Sequence, residues 1–235
     1  MNRQIGVFDS GVGGLSVLKA LRVELPGHDF IYIADNGHAP YGERDDAHVI
    51  ARSQCVTRWL SAQGTQALVI ACNTATAAAI HLLREEHPLL PIIGVEPALR
   101  PAVPLSKTRR IGVMATRGTL ASRKFQALLA SQASQCGHAD FVLQACDGLA
   151  DAIERSAASG DDAQVLAACA RHLEAMGRFG RLPGEIDTLV LGCTHYPFAQ
   201  VQLQRLVGPG VQIISNGEAI ARQTRRQLVT TQATT

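Results

Sequence analysis

Two of the six cysteines share a context that the other four lack. Cys193 closes the run Asp187-Thr188-Leu189-Val190-Leu191-Gly192 and is followed by Thr194-His195-Tyr196-Pro197. Cys72 closes Ala67-Leu68-Val69-Ile70-Ala71 and is followed by Asn73-Thr74. Aligned on the sulfur, both read as an apolar run, a small residue, a cysteine and a polar pair. A short apolar run without alternation predicts a strand buried on both faces of a parallel sheet. The carboxyl end of such a strand is where open α/β sheets hold ligands. The chain therefore presents a thiol at a strand tip twice.

Paired thiols suit proton transfer at carbon. Inverting a centre α to a carboxylate requires a base on one face and an acid on the other, which exchange roles when the reaction reverses. A free thiol titrates near 8.5, so neighbours can hold one partner as thiolate and the other as thiol near neutrality. His195 lies two residues beyond Cys193 and can carry its proton; Asp9, at the end of the opening apolar run, can do so for Cys72. Ser10, Asn73, Thr74, Thr116 and Thr194 add neutral hydroxyl, amide and backbone donors suited to an amino acid's carboxylate and ammonium. Each has a plainer reading beside this one. Asp9 and Ser10 suit helix capping, His195 a structural histidine, and Tyr41 and Tyr196 core residues with a hydrogen-bonded tip. Cys55, Cys136, Cys146 and Cys169 read as small buried hydrophobes.

The elements that must position these groups alternate strand and helix throughout. Ile5–Phe8 predicts a first strand, and Leu15, Leu18, Leu21 and Leu25 a helix stopped by Pro26-Gly27. The Gly11-Val12-Gly13-Gly14 turn lacks the third glycine of a dinucleotide fingerprint, because Ser16 stands there. It reads instead as a tight turn that sets Asp9 and Ser10 beside helix N–H groups aimed at an anion. Phe30–Ala34 is a second strand leading into the polar loop Asp35–Gly42. A helix over 45–63, with Val49, Val56, Trp59 and Leu60 inward, precedes the Cys72 strand and a helix through Ala77–Ile80. Pro91–Val95 is the next strand. Three prolines across 97–104 then break the pattern and mark a domain boundary.

The second half restarts at Arg110–Thr116, similar to Ile5–Ser10. A helix to about residue 133, a strand over 141–145, helices over 149–158 and 162–176, the Cys193 strand, a strand over 211–214 and a helix to about residue 229 follow, with 230–235 as a frayed tail. The expected fold class is α/β: two pseudo-symmetric α/β domains with mainly parallel sheets facing across a central cleft. The first domain is expected to comprise 1–96 and 208–235 and the second 97–207.

Composition excludes several classes. The chain has 235 residues, 46% of them hydrophobic, and 22 basic against 20 acidic residues give a net charge of +2. Its mean hydropathy is +0.07. That balance favours neither nucleic acid nor a membrane surface, and no apolar run reaches the length of a membrane span. The first apolar run starts four residues in, so no signal peptide is expected. No cysteine pair or histidine cluster has metal-ligand spacing. The expectation is a cytoplasmic protein with free thiols and no metal or cofactor.

Four blocks in order carry a resemblance: Asp9-Ser10-Gly11-Val12-Gly13-Gly14-Leu15-Ser16, Pro40-Tyr41-Gly42, Ala71-Cys72-Asn73-Thr74-Ala75 and Gly192-Cys193-Thr194-His195-Tyr196-Pro197. Together they resemble bacterial glutamate racemase, within the aspartate/glutamate racemase superfamily, over about residues 5–222. The resemblance implies cofactor-independent interconversion of L- and D-glutamate that supplies D-glutamate for peptidoglycan. It implies that Cys72 and Cys193 are the two acid/base residues, the second-domain thiol acting on the L-isomer and the first-domain thiol on the D-isomer. It adds Asp9, His195 and Glu154 as assisting groups. Substrate is implied to be held by Asp9, Ser10, Pro40, Tyr41, Gly42, Cys72, Asn73, Thr74, Thr116, Cys193, Thr194 and His195. Cys146-Asp147 stands where a Cys-Pro is common, along the register that selects Glu154. A homodimer is compatible with the family, and the family's nucleotide-activated members carry an N-terminal extension that the early first strand leaves no room for.

Rival readings remain within and beyond this chemistry. A hydantoin racemase or a one-cysteine decarboxylase is related, though two complete cysteine tips disfavour the latter. A cysteine phosphatase fails because Ala78 and Ala199 stand where an arginine is needed. A non-catalytic binding module, such as a DNA gyrase partner, has no need of paired proton carriers.

Overall fold

The computed structural model describes residues 4–135 and 139–234, so Cys136 lies outside the described residues. The chain forms two compact units, Met1–Glu96 with Asn216–Thr235, and Pro97–Ser215. In the first, β1 (Gln4–Asp9) leads to α1 (Leu15–Glu24), β2 (Asp29–Ala34), α2 (Asp46–Ala62), β3 (Ala67–Ile70), α3 (Asn73–Glu86) and β4 (Ile92–Gly94). The second contains α4 (Leu99–Leu105), β5 (Arg110–Ala115), α5 (Arg117–Ala121), α6 (Arg123–Gln135), β6 (Asp140–Ala145), α7 (Leu149–Ser159), α8 (Ala163–Met176), β7 (Thr188–Leu191), α9 (Gln200–Val207) and β8 (Gln212–Ile214). The chain then returns to the first unit as α10 (Gly217–Thr234).

Each unit is built on a four-stranded sheet, ordered β2-β1-β3-β4 in one and β6-β5-β7-β8 in the other. Every pairing is parallel. Helices cover both faces, which is why β3 and β7 are uninterrupted apolar runs, buried at every position. In the first sheet Ile5, Val7, Ala67 and Val69 pack against Val17 and Leu21 of α1 and Ile220 and Leu228 of α10. Phe8, Leu68 and Ile70 turn the other way, onto Val49, Val56 and Leu60 of α2 and Ile80 and Leu83 of α3. This period-two division sends Cys72 to the α2/α3 side. The second unit repeats it: Leu189, Leu191 and Cys193 face α7, α8 and α9, while Val190 faces α4 and α6.

Several local expectations need correction. Trp59 is 50% exposed rather than inward. The buried stripe of α2 runs through Val49, Ser53, Val56 and Leu60, and at 100° per residue Trp59 falls roughly 90° off its centre. Cys55 lies farther round and is exposed, not buried. Leu15 is likewise exposed, on the opposite side of α1 from Val17 and Leu21. Of the three prolines across 97–104 only Pro97 lies outside a helix: α4 begins at Leu99 and continues through Pro101 and Pro104, with Leu99, Ala102 and Val103 buried. Pro101 sits in the first turn, where helical N–H groups have no intrahelical acceptor.

The segment 208–215, expected in the first domain, belongs to the second unit, because β8 pairs with β7 through Thr188–Gln212, Leu189–Ile213 and Val190–Ile214. The expected single helix to 133 is two, α5 and α6, interrupted at Ser122. The expected frayed tail continues α10 to Thr234. Cys146 and Cys169 are core residues, as their sequence context suggested.

Candidate active site

In both sheets the chain leaves the first strand in one direction and returns on its other side, so the order reverses between β1 and β3 and again between β5 and β7. Crevices at such reversals, beyond the carboxyl ends of the strands, are where open α/β sheets bind ligands. Both thiols stand there. Strand register makes the equivalence residue by residue: Phe8 pairs with Ile70 as Met114 pairs with Leu191. Ala71 N–H then donates to Phe8 O at 2.8 Å, and Gly192 N–H to Met114 O at 2.7 Å. Cys72 thus corresponds to Cys193, Ser10 to Thr116, and Asn73 to Thr194.

The neighbouring ionisable groups do not follow this symmetry. Asp9 corresponds to Ala115, and His195 to Thr74. One unit carries its ionisable partner on the first strand's tip, and the other carries it after the thiol strand.

In the first unit Cys72 is the N-cap of α3, and its Sγ accepts the Ala75 N–H at 3.5 Å. A helix N-terminus favours the thiolate over the thiol. The Cys72 Sγ lies 3.9 Å from Ser10 Oγ, to which it donates. Ser10 in turn donates to Asp9 Oδ1 through its N–H at 2.7 Å and its Oγ at 3.3 Å. Ser10 therefore bridges the thiol to a fully buried carboxylate. Gly14 makes room for that carboxylate, since a Cβ at this position would lie 2.7 Å from Asp9 Cβ and 2.9 Å from Tyr32 Oη. The turn expected here is present, but close approach is what requires the glycine.

Asn73 is the first residue of α3 and is buried, yet neither its Oδ1 nor its Nδ2 has a hydrogen-bond partner. A buried amide left unsatisfied is costly, and a polar ligand at the strand tip would satisfy it. Thr74 is buried beside it.

Pro40, Tyr41 and Gly42 form a short turn in which Tyr41 and Gly42 are buried. The Tyr41 hydroxyl donates to Asp35 Oδ2 at 2.6 Å. Burial and the adjacent carboxylate push the Tyr41 hydroxyl well above its usual range. Asp35 also accepts Arg52 Nε and Nη2, each at 2.9 Å, and lies 3.1 Å from His38 Nδ1. Burial acts to raise the Asp35 carboxyl, but the hydrogen bonds from Arg52, Tyr41 and His38 outweigh it and hold the group below its usual range.

In the second unit Cys193 Sγ lies 3.7 Å from His195 Nδ1, and His195 Nε2 is 2.6 Å from Glu154 Oε1. Glu154 comes from α7, which packs Leu149, Ala152 and Ile153 into the core and turns the next residue toward His195. A carboxylate holding Nε2–H makes Nδ1 the ring nitrogen that faces the thiol as acceptor, the base-and-orienter arrangement that activates nucleophilic side chains. Thr194 is buried next to Cys193, and Thr116 caps α5 by accepting the Thr119 N–H at 3.2 Å. Gly192 is held close, because a Cβ there would lie 3.0 Å from both Ala115 Cβ and Met114 O. Tyr196 is fully buried, with its hydroxyl donating to Cys146 O at 3.4 Å, the core role its sequence context allowed. Burial pushes the Cys146 thiol far up, so it stays protonated in the same core as Cys193.

The structure thus gathers Asp9, Ser10, Cys72, Asn73 and Thr74 at one strand-tip crevice, and Thr116, Cys193, Thr194, His195 and Glu154 at the other. Arg52, whose guanidinium holds the loop before Pro40, was not selected from sequence. No spacing along α2 signals it, because its partner Asp35 lies 17 residues earlier in a loop. Among the described residues, no three His, Cys, Asp or Glu side chains are grouped to hold a metal ion, and no helix is long and apolar enough to cross a membrane.

The model of the Asp/Glu/hydantoin racemase family matches residues 13–224. The glutamate racemase of Ralstonia pickettii is 47% identical over 226 residues, covering 95% of this chain and 76% of that protein. The crystal structure of Escherichia coli glutamate racemase with L-glutamate and an activator superposes with a TM-score of 0.84 at 34% identity, covering 96% of this chain and 82% of that one. The Francisella tularensis glutamate racemase with D-glutamate gives a TM-score of 0.80 at 28% identity, covering 98% and 82%. With its two parallel sheets and a match across nearly its whole length, the chain belongs to the Asp/Glu/hydantoin racemase family.

Proposed function

We propose that this amino-acid racemase interconverts L- and D-glutamate through Cys72 and Cys193, with no cofactor, and so supplies D-glutamate for peptidoglycan. The observation that carries the reading is the register-matched pair of strand-tip thiols, each within reach of its own proton carrier. A one-base enzyme needs no such pair. Glutamate is favoured over other α-amino acids by the similarity to glutamate racemases, two of which bind its L- and D-forms.

In the L to D direction, Cys193 as thiolate takes the Cα proton, and the electron pair delocalises into the substrate carboxylate. The Cys72 thiol gives its proton to the opposite face of Cα. Cys193 is then a thiol and Cys72 a thiolate, so the enzyme is poised for the reverse reaction. His195, oriented by Glu154, takes up and returns the Cys193 proton; Ser10 and Asp9 do so for Cys72. The N-terminus of α3 stabilises Cys72 as thiolate. Substrate is held by Ser10, Asn73, Thr74, Thr116 and Thr194 and by the backbone of Pro40, Tyr41 and Gly42. The unpaired Asn73 amide supports that assignment, since it can meet a carboxylate through Nδ2 or an ammonium through Oδ1.

Purified protein incubated with L-glutamate in D2O, followed by optical rotation and α-carbon deuterium, tests the reading. Loss of rotation with deuterium uptake is expected, abolished in Cys72→Ser and in Cys193→Ser. Turnover of L-aspartate or a hydantoin with glutamate untouched would keep the chemistry and reject the substrate. Racemisation that survives either substitution would reject the two-thiol mechanism.

A further inference from the structure

We infer that Arg52 is a positioning residue for substrate binding: through Asp35 it holds the Tyr41 hydroxyl and thereby fixes the Pro40–Gly42 backbone. This rests on the proposed role of that turn in holding glutamate.

The geometry is that of a clamp. Arg52 spans Asp35 with both fork nitrogens, Nε to Oδ2 and Nη2 to Oδ1, each at 2.9 Å. A bidentate guanidinium–carboxylate pair fixes orientation as well as distance. The pair is largely out of solvent, with side chains 27% and 10% exposed, so it is not an ordinary surface bridge. The oxygen that accepts Nε also accepts the Tyr41 hydroxyl at 2.6 Å. Asp35 itself is tied to the strand tip by its N–H, which donates to Asp9 O at 3.0 Å.

The turn is thus fastened at both ends: to β1 through Asp35, and to α2 through Arg52. The α2 side is itself stiff. Asp45 caps that helix by accepting the His48 N–H at 2.8 Å, and the His48 ring packs edge-on against Tyr41 with centroids 6.3 Å apart. With its hydroxyl spent on Asp35, Tyr41 offers a ligand its backbone.

The clamp has an electrostatic use as well. A carboxylate beside a turn that receives a dicarboxylate repels its ligand unless it is neutralised. The Arg52 fork does that without a mobile counter-ion. A fixed positive–negative pair leaves the turn's N–H groups as the net attraction for an anion.

Arg52→Met and Tyr41→Phe separate this role from folding. Each is expected to raise KM for both glutamate enantiomers on the order of tenfold with kcat within about twofold, as loss of an interaction equal in ground and transition states requires. Because both act through one carboxylate, the double variant is expected to match the weaker-binding single variant rather than multiply the two. Arg52→Lys, which keeps the charge and loses the fork, is expected to recover binding only in part. Hydrogen exchange on the free enzyme gives a second readout that needs no substrate: the Tyr41 and Gly42 amides are expected to exchange faster in both single variants, with the β3 amides unchanged. Unchanged amide exchange in Arg52→Met overturns the inference. So does a fall in kcat at constant KM, or a lowered melting temperature with binding intact. If the wild type leaves glutamate untouched, the substrate reading fails instead, and the amide exchange still decides whether Arg52 holds the turn.

Discussion

Replacing Glu154 with Gln removes one charge from the proposed Cys193 relay while keeping nearly the same shape. In the structure, Glu154 Oε1 lies 2.6 Å from His195 Nε2, with the side chains 20% and 6% exposed. Solvent therefore screens the pair little. A hydrogen bond to a charged partner contributes about 1.5–3 kcal/mol, which at about 1.36 kcal/mol per decade converts to a rate loss of about 10- to 150-fold. The loss must appear equally in kcat/KM for both directions, because enantiomers have the same free energy in water and their equilibrium constant is one. An asymmetry between the two proposed proton relays is consequently invisible in the ratio of the two kcat/KM values and is sought in isotope effects.

With Cys193 as the base toward L-glutamate, slowing its proton transfer makes that step more rate-limiting. The primary isotope effect with α-deuterated L-glutamate is expected to rise in Glu154→Gln. With α-deuterated D-glutamate, where Cys72 removes the label, it is expected to fall. The assay is circular dichroism on both labelled enantiomers, with wild type alongside. Isotope effects that move together, or that stay unchanged, would refute the assignment of Glu154 to the Cys193 relay.

Two further substitutions test one contact beside Asp9 and one at the opposite, amino end of the Cys193 strand. Gly14→Ala puts a methyl group 2.7 Å from Asp9 Cβ; it is expected to cost about 1–3 kcal/mol by overpacking, read as a lower denaturant midpoint, and to reduce turnover by displacing Asp9. Asp187 accepts Ser106 Oγ at 2.6 Å and the N–H groups of Lys107 and Thr108 at 2.7 and 2.9 Å. Burial acts to raise its carboxyl, but these bonds hold it below the usual range. Its contribution is therefore present above about pH 4 and lost as pH falls through the lower folded value. Asp187→Asn is expected to lose about 1–3 kcal/mol at neutral pH, with a shallower acid dependence in thermal melts between about pH 5 and pH 2.

What the sequence disclosed follows from how local each feature is. The strands bearing Cys72 and Cys193 were legible because burial on both faces forces an unbroken apolar run, and the cysteine falls where that run ends. The Cys193–His195 proximity was legible because two residues separate them on one turn. Asp9 was legible as a neighbour of Cys72, but the interposed Ser10 was not, since a hydroxyl's direction depends on the turn held open at Gly14. Glu154 needed the resemblance: only the rotation of α7 about its buried Leu149 and Ile153 turns it toward His195. The Arg52 clamp joins a helix to a loop through a rotamer that no spacing rule specifies. The assignment of β8 to a sheet was also beyond reach, because three extended residues pair equally well with either edge until the crossover from α9 is known.

The path of the chain has a consequence for how the protein comes into being. The unit that carries Cys72 is interrupted after Glu96 and resumes only at Asn216, and its last helix lays Ile220, Ala221 and Leu228 on the same apolar cluster as Val17 and Leu21. On a ribosome, every residue of the intervening unit is made before that covering helix exists. The earlier-made sheet therefore waits, with one face partly bare, while the later-made unit has all it needs to fold. The crevice translated first is finished last, and the arrival of α10 decides when the first thiol acquires its permanent surroundings.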